Sequence, residues 1–114
     1  MSLDALRDAL RTFNAERDWG QYHSPRNLTM ALSVEAAELL ELFLWSRDDG
    51  PQPALPERSA RVEEEVGDVL ICLLNLCEHC GIDPVQAAER KLARNAERYP
   101  AERVRGSMRK HDEY

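Results

Sequence analysis

Four carboxylates carry the chemical signal of this sequence. Glu35 and Glu38 are three residues apart, and so are Glu65 and Asp68. Residues at that spacing share a helix face. Both pairs lie in stretches built to be helical: no Gly or Pro interrupts Leu28 to Trp45, and Ala, Leu and Glu dominate Ser33 to Trp45. At about 100° per residue, Leu28, Leu32, Leu39, Leu42 and Phe43 form one apolar stripe. Glu35 falls in the middle of that stripe and Glu38 on its edge. The second acidic stretch repeats the pattern. Val62, Val69, Cys72, Leu73 and Leu76 form the stripe, Glu65 lies within it, Asp68 borders it one turn on, and Asn75 lies beyond. Glu63 and Glu64 point elsewhere. An unpaired carboxylate in an apolar stripe costs about several kcal/mol unless a partner or a metal compensates.

If the two helices pack antiparallel, the four acids converge. Two of them at about 4 Å repel by about 4 kcal/mol at an effective dielectric near 20. Either some are protonated or cations hold them. An all-oxygen, carboxylate-rich set suits Mg²⁺, with Mn²⁺ as the substitute. Zn²⁺ would favour His and Cys. A di-iron bundle would show Glu three residues before His, and none of His23, His79 and His111 has that neighbour. The competing reading is structural: acids flanking a bundle core and paired with arginines. One such acid pair is ordinary on helices, but two at matching core edges point to a site.

The elements that must hold these acids are helical throughout. Leu3, Leu6, Leu10 and Phe13 recur at helical spacing from about Ser2 to Glu16, with Ser2 as N-cap. Asp18 to Asn27 contains Gly20 and Pro25 and reads as loop, with Asn27 capping the second helix, which runs to Trp45 or Ser46. Arg47 to Pro56 is a proline-rich linker. A third helix runs from near Glu57 to Cys80, stopped by Gly81, with Gly67 inside it as the mark of a close helix or ligand approach. Asp83 and Pro84 start a fourth helix, which ends before Pro100. Residues 101–114 form a polar, basic tail. No strand pattern appears. The fold class is all-α, a bundle of about four helices in one domain spanning 1–114.

With 114 residues the chain can bury only a moderate core, and a helical hairpin of this size needs a partner over its outer faces. A net charge of −6 disfavours general nucleic-acid binding, which wants a basic face. The charge is uneven: acids dominate from Glu35 to Asp68, whereas the C-terminal part is basic. No apolar run approaches a membrane span, and the first residues lack the apolar centre of a signal peptide. Three cysteines are too few and too odd in number for a disulfide scaffold. These features point to the cytoplasm. Cys77 and Cys80 have C-x-x-C spacing, but they end a helix, whose dipole disfavours a thiolate there. They read as small packing residues.

The combination resembles a known family. Glu-x-x-Glu followed by Glu-x-x-Asp on the next long helix is similar to the all-α, MazG-like nucleoside triphosphate pyrophosphohydrolases. The likeness is greatest to the dCTP pyrophosphatase branch. It rests on Ala15 to Trp19, Ser24 to Leu28, Glu35 to Trp45, Glu64 to Leu70 and Arg98-Tyr99-Pro100. It implies a helical bundle assembled as a homodimer or a dimer of dimers. It implies that Glu35, Glu38, Glu65 and Asp68 are the catalytic acids and hold Mg²⁺, which grips a nucleoside triphosphate. Water attacks the α-phosphorus, releasing a nucleoside monophosphate and pyrophosphate, with Glu38 or Glu41 a candidate to orient the water. Such chemistry asks for positioning and charge neutralisation rather than a protein nucleophile.

Lys91, Asn95 and Arg98 share one face of the fourth helix, and the resemblance directs them to the phosphates. Trp19 and Trp45 are the candidates to stack on the base, and His23 to hydrogen-bond it from the loop. Two positions depart from the branch. Cys72 stands where the branch has a Tyr four residues after the second motif's Asp, and Leu10 where it can present a His nine residues before the first Trp. Both bear on base or sugar recognition. The expected activity is therefore hydrolysis of dCTP or a related pyrimidine deoxynucleotide in nucleotide-pool cleansing. The rivals are the same chemistry on another canonical or modified nucleotide, and a non-catalytic helical dimerisation module.

Overall fold

A computed structural model describes residues 1–45 and 56–108. It places them in two compact units, Met1–Gly81 and Ile82–Tyr114. Among the described residues all regular structure is helical.

In the first unit, α1 spans Leu3–Glu16. Ser2 caps it, its hydroxyl accepting from the Ala5 amide at 3.1 Å. A 3₁₀ turn at Trp19–Tyr22 occupies part of the expected loop. Asp18 introduces it in the left-handed region, with φ 52°. The second helix, α2, spans Pro25–Glu41. Its cap is Ser24 rather than the expected Asn27: the Ser24 hydroxyl accepts from the Asn27 amide at 3.1 Å, and Pro25 takes the first position, where a missing N–H costs nothing. Asn27 instead donates its side-chain amide to the Tyr22 carbonyl.

The end of α2 also differs from expectation. Past Glu41 the amides of Phe43 and Leu44 bond three residues back, to Leu40 and Glu41, so the last turn tightens and the α-helix stops short of Trp45. The third helix, α3, spans Pro56–Cys80, close to expectation. Gly81 closes it with φ 67°, a conformation costly for any residue with a Cβ. The proline-rich linker, apart from Pro56, lies outside the described residues.

Packing of α2 against α3 makes the body of this unit, and α1 meets both α3 and the 3₁₀ turn. The buried apolar side chains among the described residues are Leu28 and Leu42 of the α2 stretch and Leu74 and Cys77 of α3. Leu74, only 2% exposed, holds the place that the sequence stripe gave to Leu73. Cys77 packs as expected, whereas Cys80 is exposed. Gly67 faces open space, so within this chain it marks no close approach. Met30, Val34 and Leu40 on α2 are exposed, as are Val66, Leu70 and Leu73 on α3.

In the second unit, α4 spans Pro84–Arg98, and the Asp83 carboxylate accepts from the Val85 and Gln86 amides at 3.0 Å each. Ala101–Val104 forms a one-turn helix, α5, within the stretch expected to be tail, held by Val104 and Arg105 amides bonding four residues back.

Candidate functional site

Packing of α2 on α3 brings Glu35, Glu38 and Glu65 together. Each offers a carboxylate oxygen within 4.8 Å of the other two. Glu35 and Glu65 are half-buried and Glu38 is exposed. One oxygen of Glu35 and one of Glu65 are shut off from solvent with no hydrogen-bond donor. Two orphaned carboxylate oxygens side by side are costly in an apolar setting. Glu35 registers that cost. Its carboxyl is pushed up to about 7, first by Glu65, which can share its proton, then by burial, then by Glu38 and the charge of Asp68. Asp68 is exposed and lies close enough to act on Glu35 by its charge.

The donor set fits a hard divalent cation. All of its atoms are carboxylate oxygens, the ligands that Mg²⁺ and Mn²⁺ prefer, and they lie within 4.8 Å of one another. A cation between Glu35 and Glu65 would satisfy both orphaned oxygens.

Beside the acids, α1, the 3₁₀ turn and α3 enclose an open-mouthed cavity of about 360 Å³. Leu6, Leu10, Phe13, Trp19, Ile71 and Cys72 make its apolar wall. Asn14, His23 and Asn75 are its polar groups. Trp19 is held edge-on to Phe13, with ring centroids 5.4 Å apart, while the Arg17 guanidinium caps the other ring at 3.7 Å. Cys72 links cavity and acids. It lies one helical turn past Asp68 on the same face, and burial together with the charges of Glu35 and Asp68 pushes its thiol up. It is therefore an apolar wall rather than a nucleophile.

A second, polar cavity of about 320 Å³ shares Asn14, His23 and Asn75 with the first. It continues to Arg11, Glu78 and His79. Arg11 grips Glu78 with two nitrogens, at 2.6 and 3.0 Å, and this clamp holds α1 antiparallel to α3. Asn14 donates its amide to the Asn75 carbonyl oxygen at 3.0 Å across the same seam.

Of the residues expected from sequence, Glu35, Glu38 and Glu65 thus form one cluster with Asp68 beside it. Trp19, His23, Leu10 and Cys72 line one cavity. Trp45 does not join them: it is 97% exposed and φ is 65° there. Lys91, Asn95 and Arg98 lie on α4 in the second unit, Lys91 exposed and the other two half-buried. Asn14 was missed by sequence reasoning, since a single polar residue on an amphipathic helix carries no periodic signal. Asn75 carried one: it stands seven residues after Asp68 on the acids' own face.

The model of the MazG-like family matches residues 30–113. The chain belongs to the MazG-like family. Among curated proteins, this MazG-like chain is 45% identical to dCTP pyrophosphatase 1 of Mus musculus over 112 residues, covering 96% of the chain and 66% of the relative. It is also 45% identical to dCTP pyrophosphatase 1 of Homo sapiens over 114 residues, covering 98% of the chain and 67% of the relative. The chain thus spans about two thirds of the length of these relatives. Among solved structures, a pyrophosphatase from Archaeoglobus fulgidus superposes with a TM-score of 0.80 at 45% identity, covering 86% of this chain and 92% of that one.

Proposed function

We propose that the chain is a divalent-metal-dependent nucleoside triphosphate pyrophosphohydrolase, acting on dCTP or a related pyrimidine deoxynucleotide to cleanse the nucleotide pool. One observation carries this reading: three convergent carboxylates with two orphaned oxygens stand beside an apolar cavity able to take a base. The names of the relatives favour dCTP over other nucleotides.

Mg²⁺, or Mn²⁺ in its place, would be held by Glu35, Glu38 and Glu65 with Asp68 alongside, and would neutralise the triphosphate and acidify a bound water. Glu35 and Glu65 are preorganised by burial, so they fix the position of the charge. Glu38, which is open to solvent, is the candidate to orient the attacking water, with Glu41 as the alternative. A water oxygen bonds to the α-phosphorus, the bond to the bridging oxygen breaks, and pyrophosphate leaves. Trp19, His23 and the cavity wall hold the base. Trp45 is a further stacking surface, and Lys91, Asn95 and Arg98 are proposed for the phosphates.

We treat 1–114 as one MazG-like domain, because the family match runs through both compact units. Val66, Leu70 and Leu73 line one exposed face of α3, which supports a homodimer or dimer of dimers. Three free cysteines suit a reducing compartment, and we place the protein in the cytoplasm. Among the described residues no helix is long and apolar enough to cross a membrane.

The test is a panel of canonical and modified nucleotides with Mg²⁺ or Mn²⁺, assayed for monophosphate and pyrophosphate together. Equal yields of both from a cytosine deoxynucleotide are expected; no pyrophosphate from any nucleotide rejects the reading. The exposed apolar faces favour one rival, a non-catalytic dimerisation module. Glu38→Gln separates the two: loss of metal-dependent thermal stabilisation supports the site, and no change supports the module.

A further inference from the structure

We propose that the hydrogen-bonded pair Asn14–Asn75 reads the edge of the base, making these two carboxamides the base-selecting residues of the site. The inference rests on the nucleotide reading above and extends it to residues outside the acid motifs.

The argument begins with what the pair has left to offer. Each carboxamide carries one oxygen acceptor and one NH₂ donor. The bond from Asn14 Nδ2 to Asn75 Oδ1 engages one group of each. What remains is the Asn14 oxygen and the Asn75 NH₂, neither of which has a side-chain partner among the described residues. In this arrangement the pair presents one acceptor, from Asn14, beside one donor, from Asn75, in an order locked by the bond between them. Every pyrimidine and purine edge presents a donor next to an acceptor: an amino group beside a ring nitrogen, or a carbonyl beside a ring N–H.

The pair also stands in the right place. Both residues line the apolar cavity, and the other polar member of that wall is His23. Along α3, Asn75 lies seven residues beyond Asp68, about 10 Å of helix rise, with Cys72 between them. A nucleotide whose phosphates meet the acids would cross Cys72 with its sugar and bring its base edge to the amides. The apolar wall supplies stacking, which every base satisfies. The amides are locked to each other across that wall, with His23 beside them, so the order of donor and acceptor along the base edge is read by the pair. Packing does not require them: a Leu or Ala pair would join α1 to α3 without the cost of desolvating two amides.

The test compares kcat/KM for triphosphates differing only at the base edge, amino against oxo: cytosine against uracil, and adenine against hypoxanthine. Wild type is expected to discriminate within each pair. Asn14→Ala and Asn75→Ala should each lower kcat/KM for the preferred base about tenfold to a hundredfold, bringing the ratio towards one. Asn75→Asp keeps the side-chain volume and serves if the alanine variants do not fold. It leaves two acceptors facing the base, which an amino group with its two N–H donors satisfies and an imide N–H flanked by carbonyls does not. Its ratio should move towards the amino base by about tenfold. Unchanged ratios in folded variants that still release pyrophosphate overturn the role of the amide pair and leave the pyrophosphohydrolase reading standing. Failure of wild type to cleave any nucleotide overturns both.

Discussion

Glu35 and Glu78 are both acids on packed helices, and their environments push them in opposite directions. Glu35 faces other carboxylates, and its folded-state value near 7 lies above the ordinary 4.5. A raised acid binds its proton more tightly in the folded state, so in metal-free protein it lowers stability as pH rises from 4.5 through 7. Glu35→Gln is therefore expected to raise the melting temperature of chelated protein, most above pH 7 and least below 4.5, while abolishing stabilisation by added Mg²⁺. A variant that is less stable without metal would mark Glu35 as a structural ion-pair partner. Glu78 is held below 4.5 by the Arg11 hydrogen bonds, with Arg11 and Arg7 charges in support. Its contribution is present above 4.5 and is lost as pH falls through its folded value. The pair is half-exposed, so solvent screening keeps the effect small. Denaturant melts of Glu78→Gln should show a shallower acid limb than wild type, the variant being less stable above about pH 6 and converging on wild type as pH falls.

At the scale of the helix, caps decide where elements start, and their energies are measurable. Asp83→Ala removes the acceptor for two amides at the head of α4 and should cost about 1 kcal/mol, read as a shift in the denaturation midpoint. Ser24→Ala at α2 should cost a similar amount, about 1 kcal/mol, whereas Asn27→Ala should spare that cap. The same residues show how far the sequence could be read. Asp83-Pro84 was legible because both cap signals agree. Ser24-Pro25 carried the identical pair of signals, and Asn27 misled because it satisfies the cap rule on its own and stands immediately before Leu28, where the apolar stripe begins. Both acid pairs were legible because a carboxylate inside an apolar stripe breaks a helical period. The 3₁₀ turn was not, since its Trp19 is fixed by contact with Phe13 of another element. Nor was the seam of α1 against α3, where Asn14 meets a residue 61 positions away. The early end of α2 escaped for a simpler reason: good helix formers continue through Leu44, and nothing local says stop.

At the scale of the molecule, a short chain leaves apolar helix faces uncovered. Val66, Leu70 and Leu73 recur at helical spacing on α3, so they present a strip rather than scattered residues. Leu70→Glu is expected to shift the protein to a smaller species in sedimentation analysis. An unchanged mass distribution would assign that strip to something other than self-association.

The first helix has one more property with reach. None of its residues is fully buried, and it is tied to α3 by the Asn14–Asn75 bond and the Arg11–Glu78 clamp. Such a helix can undock while the α2–α3 pair stays folded, so its amides should exchange hydrogen through a local opening rather than through global unfolding. The apolar cavity exists only when α1 is docked. Whatever fills that cavity binds the docked fraction alone, and its apparent affinity is scaled by that fraction. Occupancy and hydrogen-exchange protection of α1 are then two readings of a single equilibrium.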